Sequence, residues 1–145
     1  MKLWGGRFEK TTDALVEDFH SSISFDQRLY KQDIQGSIAH ARMLGEIGVL
    51  TAEETQQIIA GLEGILQDIQ AGKVEFEVGA EDIHMNVEKL LTERIGNVGK
   101  KVHTGRSRND QVALDLRLFL REEIDRTQEL LVTLLRTILN LAKEH

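Results

Sequence analysis

The last 37 residues of the chain, from Asn109 to His145, contain neither glycine nor proline. Because these two residues are the strongest helix breakers, a segment of this length predicts one continuous α-helix. At 1.5 Å per residue it would extend about 55 Å, which exceeds the width of a small domain. Its apolar residues cover more than one face, as in a helix that several others surround. We therefore expect either that helices of other subunits cover it or that the chain is cut within this helix.

The absence of proline extends to all 145 residues, although average usage would supply about seven. This absence predicts an all-α fold. An apolar fraction of 41% and a charged fraction of 29% with both signs interspersed are typical of a folded globular protein and exclude a disordered one.

Charge and composition also narrow the partners and the compartment. A formal net charge of −6 argues against nucleic acid, whose binding depends on many Lys and Arg residues. No stretch approaches the roughly 18 consecutive apolar residues of a membrane span. The chain contains no cysteine, and its first residues do not resemble a signal peptide, so we expect a cytoplasmic protein without disulfides.

Three shorter helices are predicted ahead of the long one. Ser24 and Gln27 have the spacing of a capping box, and an apolar stripe with steps of three and four follows until Gly45 and Gly48. Thr51 and Glu54 form a second predicted capping box. The helix that begins there is predicted to end at Ala71 and Gly72. A third apolar stripe spans residues 83–95.

The segments between and before these helices have no helical period. We expect the first ten residues to form an extended arm, residues 73–78 an extended connector and residues 99–101 a polar loop. One domain boundary is predicted near Lys101. Residues 1–101 would form an N-terminal helical domain with its arm, and residues 102–145 a loop followed by the start of the long helix.

The stretch HTGRSRNDQ, at residues 103–111, combines a glycine, two arginines and small polar residues just before the long helix. A helix N-terminus offers unpaired amides and partial positive charge, and an arginine can bind a carboxylate through two bonds. The composition therefore indicates an anion site. The simpler alternative is that Ser107 or Asn109 only caps the helix, while the arginines are solvated or pair with Asp110 and Asp115.

A second polar cluster includes Asp82, His84 and Glu88, at or near the start of the third helix. His84 and Glu88 are four residues apart and could both bind a metal, but two ligands without a third indicate an ordinary ion pair instead. We therefore predict no metal site. Ser22, which precedes the first helix, is by its position only a turn residue.

Five segments in order resemble argininosuccinate lyase across the whole chain. They are LWGGRF at residues 3–8, SSISFDQRL at 21–29, DIQGS at 33–37, EDIHMNVE at 81–88 and HTGRSRNDQ at 103–111. The resemblance favours the anion site over simple capping.

The resemblance implies membership of the fumarase and aspartase superfamily, whose members are all-helical tetramers with a central bundle of long helices. It implies cleavage of argininosuccinate to arginine and fumarate by β-elimination, as a step of arginine biosynthesis that requires no cofactor. Partners would be these small molecules and further copies of the same chain. Because the family assembles its active sites from several subunits, we expect this chain alone to be inactive.

Site residues are likewise implied by the resemblance. Ser22, Ser107, Arg108 and Asn109 correspond to substrate contacts of the family. Two further residues would support the site; these are Asp82 and His84. No catalytic acid or base is assigned, because the family's Thr-His motif and its loop with the catalytic serine would lie beyond residue 145.

Three alternatives remain open at this point. Another lyase of the superfamily, such as fumarase, aspartase or adenylosuccinate lyase, would also place small polar residues before this helix. A structural protein like delta-crystallin could carry the same pattern without catalysis. A helical module for oligomerisation would not need to keep the GRSRND string.

Overall fold

A computed structural model of the chain describes residues 13–145. This part contains six α-helices, three short 3-10 segments and no β-strand, which confirms the all-α class. The extended arm predicted for the first ten residues lies outside the described residues. The α-helices are α1 Ala14–His20, α2 Ile23–Asp26, α3 Tyr30–Glu46, α4 Ala52–Gln70, α5 Ile83–Ile95 and α6 Arg108–Glu144; the 3-10 segments are Gln27–Leu29, Val78–Ala80 and Gly96–His103.

The start of the first long predicted helix differs from the prediction. Ser24 and Gln27 do not form a capping box; instead the Gln27 side chain donates to the backbone oxygen of Ser24 at 3.4 Å. The chain already turns at Ser22, because Ile23 is buried in the core. A short helix and a 3-10 turn therefore precede α3, which begins at Tyr30.

Helix α4 begins as its sequence predicts. The Thr51 hydroxyl accepts a hydrogen bond from the Glu54 amide at 3.1 Å, and the Glu54 carboxylate accepts one from the Thr51 amide at 3.2 Å. The two side chains thereby satisfy two amides that the first helical turn leaves unpaired. The predicted capping box is confirmed, and the helix ends at Gln70, directly before Ala71 and Gly72.

Thr51→Ala is expected to lower the free energy of unfolding of the chain by about 1 kcal/mol, because the Glu54 amide loses its acceptor. Urea unfolding followed by circular dichroism would measure the change. Thr133→Ala is the matched control, since this exposed hydroxyl in the middle of α6 only donates to the Glu129 carbonyl. An equal loss in both variants would contradict the capping role.

The region after α5 is more ordered than predicted. The residues expected to form a polar loop lie within the 3-10 segment Gly96–His103, in which Val102 is buried. Gly99 allows this packing, because a Cβ atom there would lie 3.0 Å from the backbone of Leu91 and Thr92 on α5. Residues 73–77 of the predicted connector form no regular element, whereas Val78, its last residue, begins the 3-10 segment Val78–Ala80.

Helices α3, α4 and α5 enclose the hydrophobic core, and the first turns of α6 pack against α3. Gly36 permits the approach of α6, since a Cβ atom there would lie 3.1 Å from Leu114 Cδ2 and 3.2 Å from an Arg106 nitrogen. The core side chains without measurable exposure are Ile34, Ala41, Ile58, Leu62, Ile83 and Leu91. The boundary near Lys101 stays a prediction.

Beyond its first four turns, α6 has no cover from the rest of the described chain. Every residue from Ile124 to His145 is exposed. The helix is 37 residues long, which confirms the predicted continuous helix. Among the described residues, no helix combines the length and the apolarity needed to cross a membrane.

Candidate functional site

Ser22 lies against the turn that leads into α5. Its amide donates to the Glu81 carbonyl at 2.8 Å, and its hydroxyl donates to Asp26 Oδ2 at 2.5 Å. The other oxygen of Asp26 accepts from the Ile83 amide at 3.2 Å. These bonds join the start of α2 to the start of α5, although about 60 residues separate them in sequence.

The Glu81–Asp82 turn is strained where it meets Ser22. Glu81 has φ +65°, in a region of backbone conformation that side chains other than glycine rarely adopt. Asp82 then caps α5, because its Oδ1 accepts from the Met85 amide at 2.6 Å. Strain of this kind persists only where the surrounding contacts fix the backbone, and it concentrates at functional sites.

Arg108, at the start of α6, faces the same turn. Its Nε lies 3.4 Å from Asp82 Oδ2, and one terminal nitrogen lies 3.8 Å from Glu88 Oε2. The other terminal nitrogen donates to Gln111 Oε1 at 2.8 Å. The structure thus brings Ser22, Asp82 and Arg108 to one place, which the sequence grouped only through the family resemblance.

Ser107 and Asn109 flank Arg108 and are exposed. The Ser107 hydroxyl accepts from the Asn109 amide at 3.2 Å and so caps α6, as the simpler alternative predicted. The two arginines differ from each other. Arg108 pairs with Asp82 and not with Asp110 or Asp115 as that alternative proposed. Arg106 donates to the Ser37 hydroxyl at 3.0 Å, and its charge also interacts with Asp115, in line with that alternative.

His84 is buried and belongs to a different group of side chains. Its Nδ1 lies 2.9 Å from Asp33 Oδ1 and 3.4 Å from Asp115 Oδ2. The predicted pairing of His84 with Glu88 is therefore wrong: from the first turn of α5 the ring reaches α3 and α6, while Glu88 faces Arg108 and His103. His84 thus contacts both α3 and α6, and its supporting role at the site stays a prediction.

The three residues Asp33, His84 and Asp115 offer ligand atoms that all lie within 4.8 Å of one another. Such a set could hold a cation, a possibility that the sequence did not indicate. However, Asp33 Oδ1 already contacts His84 and Gln111, and the Arg106 guanidinium supplies positive charge beside the two carboxyls. The absence of a metal site stays a prediction.

Burial changes the titration of several side chains around Arg108. Burial raises the pKa of the Glu88 carboxyl, although Arg108 partly counteracts it. Burial likewise raises the pKa of Asp26, against the hydrogen bond from Ser22. The pKa of His103 is lowered by burial and by the positive charge of Arg108 and Arg106. Clusters of groups with shifted pKa values are more frequent at functional sites than elsewhere.

In the buried group of Asp33, His84 and Asp115, burial and the neighbouring charges together shift the pKa values of Asp115 and His84. Burial, and then the like charge of Asp33, raise the pKa of Asp115 to about 7. Burial lowers the pKa of His84, but the hydrogen bond with Asp33 and the nearby negative charges outweigh this effect and raise it.

Sequence reasoning did not assign several residues that the structure places at or beside the site. Asp26 and Asp33 received no role, and Gln111 appeared only within the motif. A usable signal existed for Asp33, which directly precedes Ile34 in the predicted apolar stripe, because a carboxylate beside the core is costly unless it is paired. The residues beside the site that were not among the predicted site residues are Asp26, Asp33, Glu88, His103, Arg106, Gln111 and Asp115. Of these, Glu88, Arg106 and Asp115 had been named only as a possible metal ligand, a possible anion-binding residue and a possible ion-pair partner.

Comparison with known proteins gives the chain close relatives. It is 87% identical to the argininosuccinate lyase of Desulfitobacterium hafniense strain DCB-2 over all 145 residues, which cover 32% of that protein. It is 72% identical to that of Heliobacterium mobile over 99% of the chain and 31% of the relative. It is 69% identical to that of Desulforamulus reducens over the whole chain and 32% of the relative.

These identities confirm the resemblance stated from the five motifs. The chain spans about a third of the length of the curated relatives it matches. A family model described as lyase matches residues 6–145, which is nearly the whole chain. The chain therefore belongs to this lyase family.

Proposed function

We propose that the protein containing this chain is an argininosuccinate lyase, which cleaves argininosuccinate to arginine and fumarate. The observation that carries the proposal is the convergence of Ser22, Asp82 and Arg108 at the strained Glu81 turn. The names of the relatives support the same activity.

The charges around this turn suit such a substrate. Argininosuccinate carries several carboxylates and a cationic guanidino group. The Arg108 guanidinium and the first amides of α6 offer donors for a carboxylate. The carboxyls of Asp26, Asp82 and Glu88 line the same region and offer acceptors for a cation. Ser107 and Asn109 add neutral donors from the exposed start of α6, since a capping hydroxyl keeps its own proton to donate.

The reaction is a β-elimination. A base removes a proton from the carbon beside a carboxylate, the electron pair forms the double bond of fumarate, and the bond to the guanidino nitrogen breaks. An acid returns a proton to that nitrogen. Negative charge builds on the carboxylate during the step, so donors fixed beside it lower the barrier. We assign this part to Arg108 and its neighbours, and the acid and base to residues outside this chain.

We also propose that the protein assembles with further copies of itself, in the cytoplasm. Support comes from the uncovered part of α6, where large apolar side chains are about half exposed; these are Ile124, Leu130, Leu131, Leu134, Leu135, Ile138, Leu139 and Leu141. An apolar surface of this extent is typical of an interface. Family tetramers would bury it in a central bundle.

The test is a chimaeric lyase, in which residues 1–145 of this chain replace the corresponding segment of the Desulfitobacterium hafniense relative. We expect fumarate release from argininosuccinate at a rate close to that of the relative, measured by ultraviolet absorbance. The isolated chain should release none and should have a mass in solution above that of a monomer.

Each alternative has its own outcome in this experiment. Turnover of malate, aspartate or adenylosuccinate in place of argininosuccinate would favour another lyase of the superfamily. A chimaera that assembles but turns over none of these substrates would favour a structural or assembly role. Turnover by the isolated chain would contradict the proposal that other segments supply the acid and base.

A further inference from the structure

We infer that Gln111 is a positioning residue, whose side-chain amide is oriented by Asp33 and in turn holds Arg108. The inference rests on the proposed function and adds to it two residues that it does not assign. It concerns how the arginine is held, and it names no additional contact with the substrate.

Gln111 lies one turn after the start of α6, and only 5% of its surface is exposed. Its Oε1 accepts from a terminal nitrogen of Arg108 at 2.8 Å. Its Nε2 donates to Asp33 Oδ1 on α3 in a short hydrogen bond. The amide therefore bridges the exposed site and the buried interior.

Hydrogen-bond polarity determines which way this amide points. The Arg108 guanidinium can only donate, so the carbonyl oxygen of Gln111 must face Arg108. The NH₂ group of Gln111 then faces Asp33. If the amide were reversed, its NH₂ group would meet the guanidinium, which can only donate, and both contacts would be lost.

Asp33 is a firm anchor for this arrangement. It has no exposed surface, and the same oxygen that accepts from Gln111 lies 2.9 Å from His84 Nδ1. Contacts from α5 and α6 thus converge on one carboxylate of α3. A buried polar group held in this way loses little freedom, so it can fix its partners.

The remaining contacts of Arg108 explain why a neutral anchor is useful. Its distances to Asp82 and Glu88, at 3.4 Å and 3.8 Å, exceed the 2.8 Å bond to Gln111. A third carboxylate at this position would neutralise the arginine further. The uncharged amide holds one end of the guanidinium and leaves its positive charge for the substrate.

The experiment is a double-mutant cycle in the chimaeric lyase, with Gln111→Met and Arg108→Ala as the two changes. Methionine keeps the volume of the side chain but makes neither hydrogen bond. We expect kcat/KM to fall roughly tenfold to a hundredfold in the otherwise unchanged chimaera, because a small misplacement of a substrate contact costs this much. In the Arg108→Ala background the same change should alter kcat/KM by less than about twofold.

A second cycle uses Asp33→Leu with Arg108→Ala, because leucine has a similar size and offers no acceptor to the NH₂ group of Gln111. It decides the question if Gln111→Met fails to fold, as judged by circular dichroism. Gln57→Met, on the exposed side of α4, is the matched control and should leave kcat/KM unchanged.

The outcomes separate the inference from the function on which it rests. Losses that vanish without Arg108 support the inference. Equal losses in both backgrounds show that Gln111 and Asp33 act only on the fold, and they overturn the inference while the lyase activity stands. A chimaera without activity overturns the proposed function and the inference with it.

Discussion

Arg108→Lys is expected to lower kcat/KM of the chimaeric lyase for argininosuccinate by about 100-fold or more, because a fixed donor to developing charge is lost. The guanidinium places three nitrogens near Asp82, Glu88 and Gln111 at once. A lysine has one nitrogen on a flexible stem and cannot reproduce this planar arrangement, although its charge is the same. The loss would therefore report geometry rather than charge. Initial rates of fumarate release at several substrate concentrations measure it.

Arg42→Lys provides the matched control, since Arg42 is an exposed arginine of α3. We expect its kinetics to equal those of the unchanged chimaera. Circular dichroism of both variants should show the same helix content, because Arg108 is only partly buried. Unchanged kinetics in Arg108→Lys would remove this residue from the site and would withdraw the main support for the proposed function.

The isolated chain is expected to become less stable as the pH rises from about 5 to 7. Asp115→Asn should make this loss of unfolding free energy smaller, by at most about 1.4 kcal/mol per pH unit. Burial and the neighbouring Asp33 raise the pKa of Asp115 from 3.8 to about 7. Below pH 3.8 the carboxyl is protonated in both the folded and the unfolded chain. Between pH 3.8 and about pH 7 the unfolded chain releases the proton while the folded chain keeps it. The free energy of unfolding therefore falls as the pH rises through this range.

Asparagine keeps the shape of a protonated carboxyl and cannot ionise, so the variant should overtake the parent in stability as the pH increases. Urea unfolding at about pH 5, 6 and 7 gives, for each protein, the change of the unfolding free energy with pH. Shifts at His84 and His103 also contribute to the pH dependence, with opposite signs. Asp125→Asn, at an exposed position on the same helix, is the matched control, because it removes one negative charge without changing a buried group. Parallel slopes for all three proteins would mean that Asp115 ionises normally.

The helices could be predicted because their signals are local. The capping box of Thr51 and Glu54 and the absence of breakers in α6 each act within a few residues of chain. The start of α3 was missed because a tertiary requirement prevailed: burying Ile23 and bonding Ser22 to Glu81 shifts the turn toward the N-terminus. The Gly96–His103 segment was missed because packing on α5 orders it, and no local pattern records that packing.

At the candidate site, too, local features could be read from the sequence, whereas contacts between distant segments could not. Residues 103–111 have the composition and position of an anion site, but it was the family resemblance that favoured this site over simple capping of α6. The contact of Arg108 with Asp82, and that of Gln111 with Asp33, joins segments that lie 26 and 78 residues apart. Such pairs depend on how the helices cross, which periodicity does not encode. Asp33 and His84 form a pair only because α3 and α5 pack against each other.

The length of α6 has a mechanical consequence. Arg108 occupies its first turn, while the uncovered apolar residues occupy its distant half. A stiff rod of about 55 Å converts a tilt of about one degree into a displacement of about 1 Å at its opposite end. A displacement of that size at a substrate contact can cost a factor of about 100 in rate. The contacts that hold the distant half of α6 in place therefore also influence the position of Arg108 in its first turn.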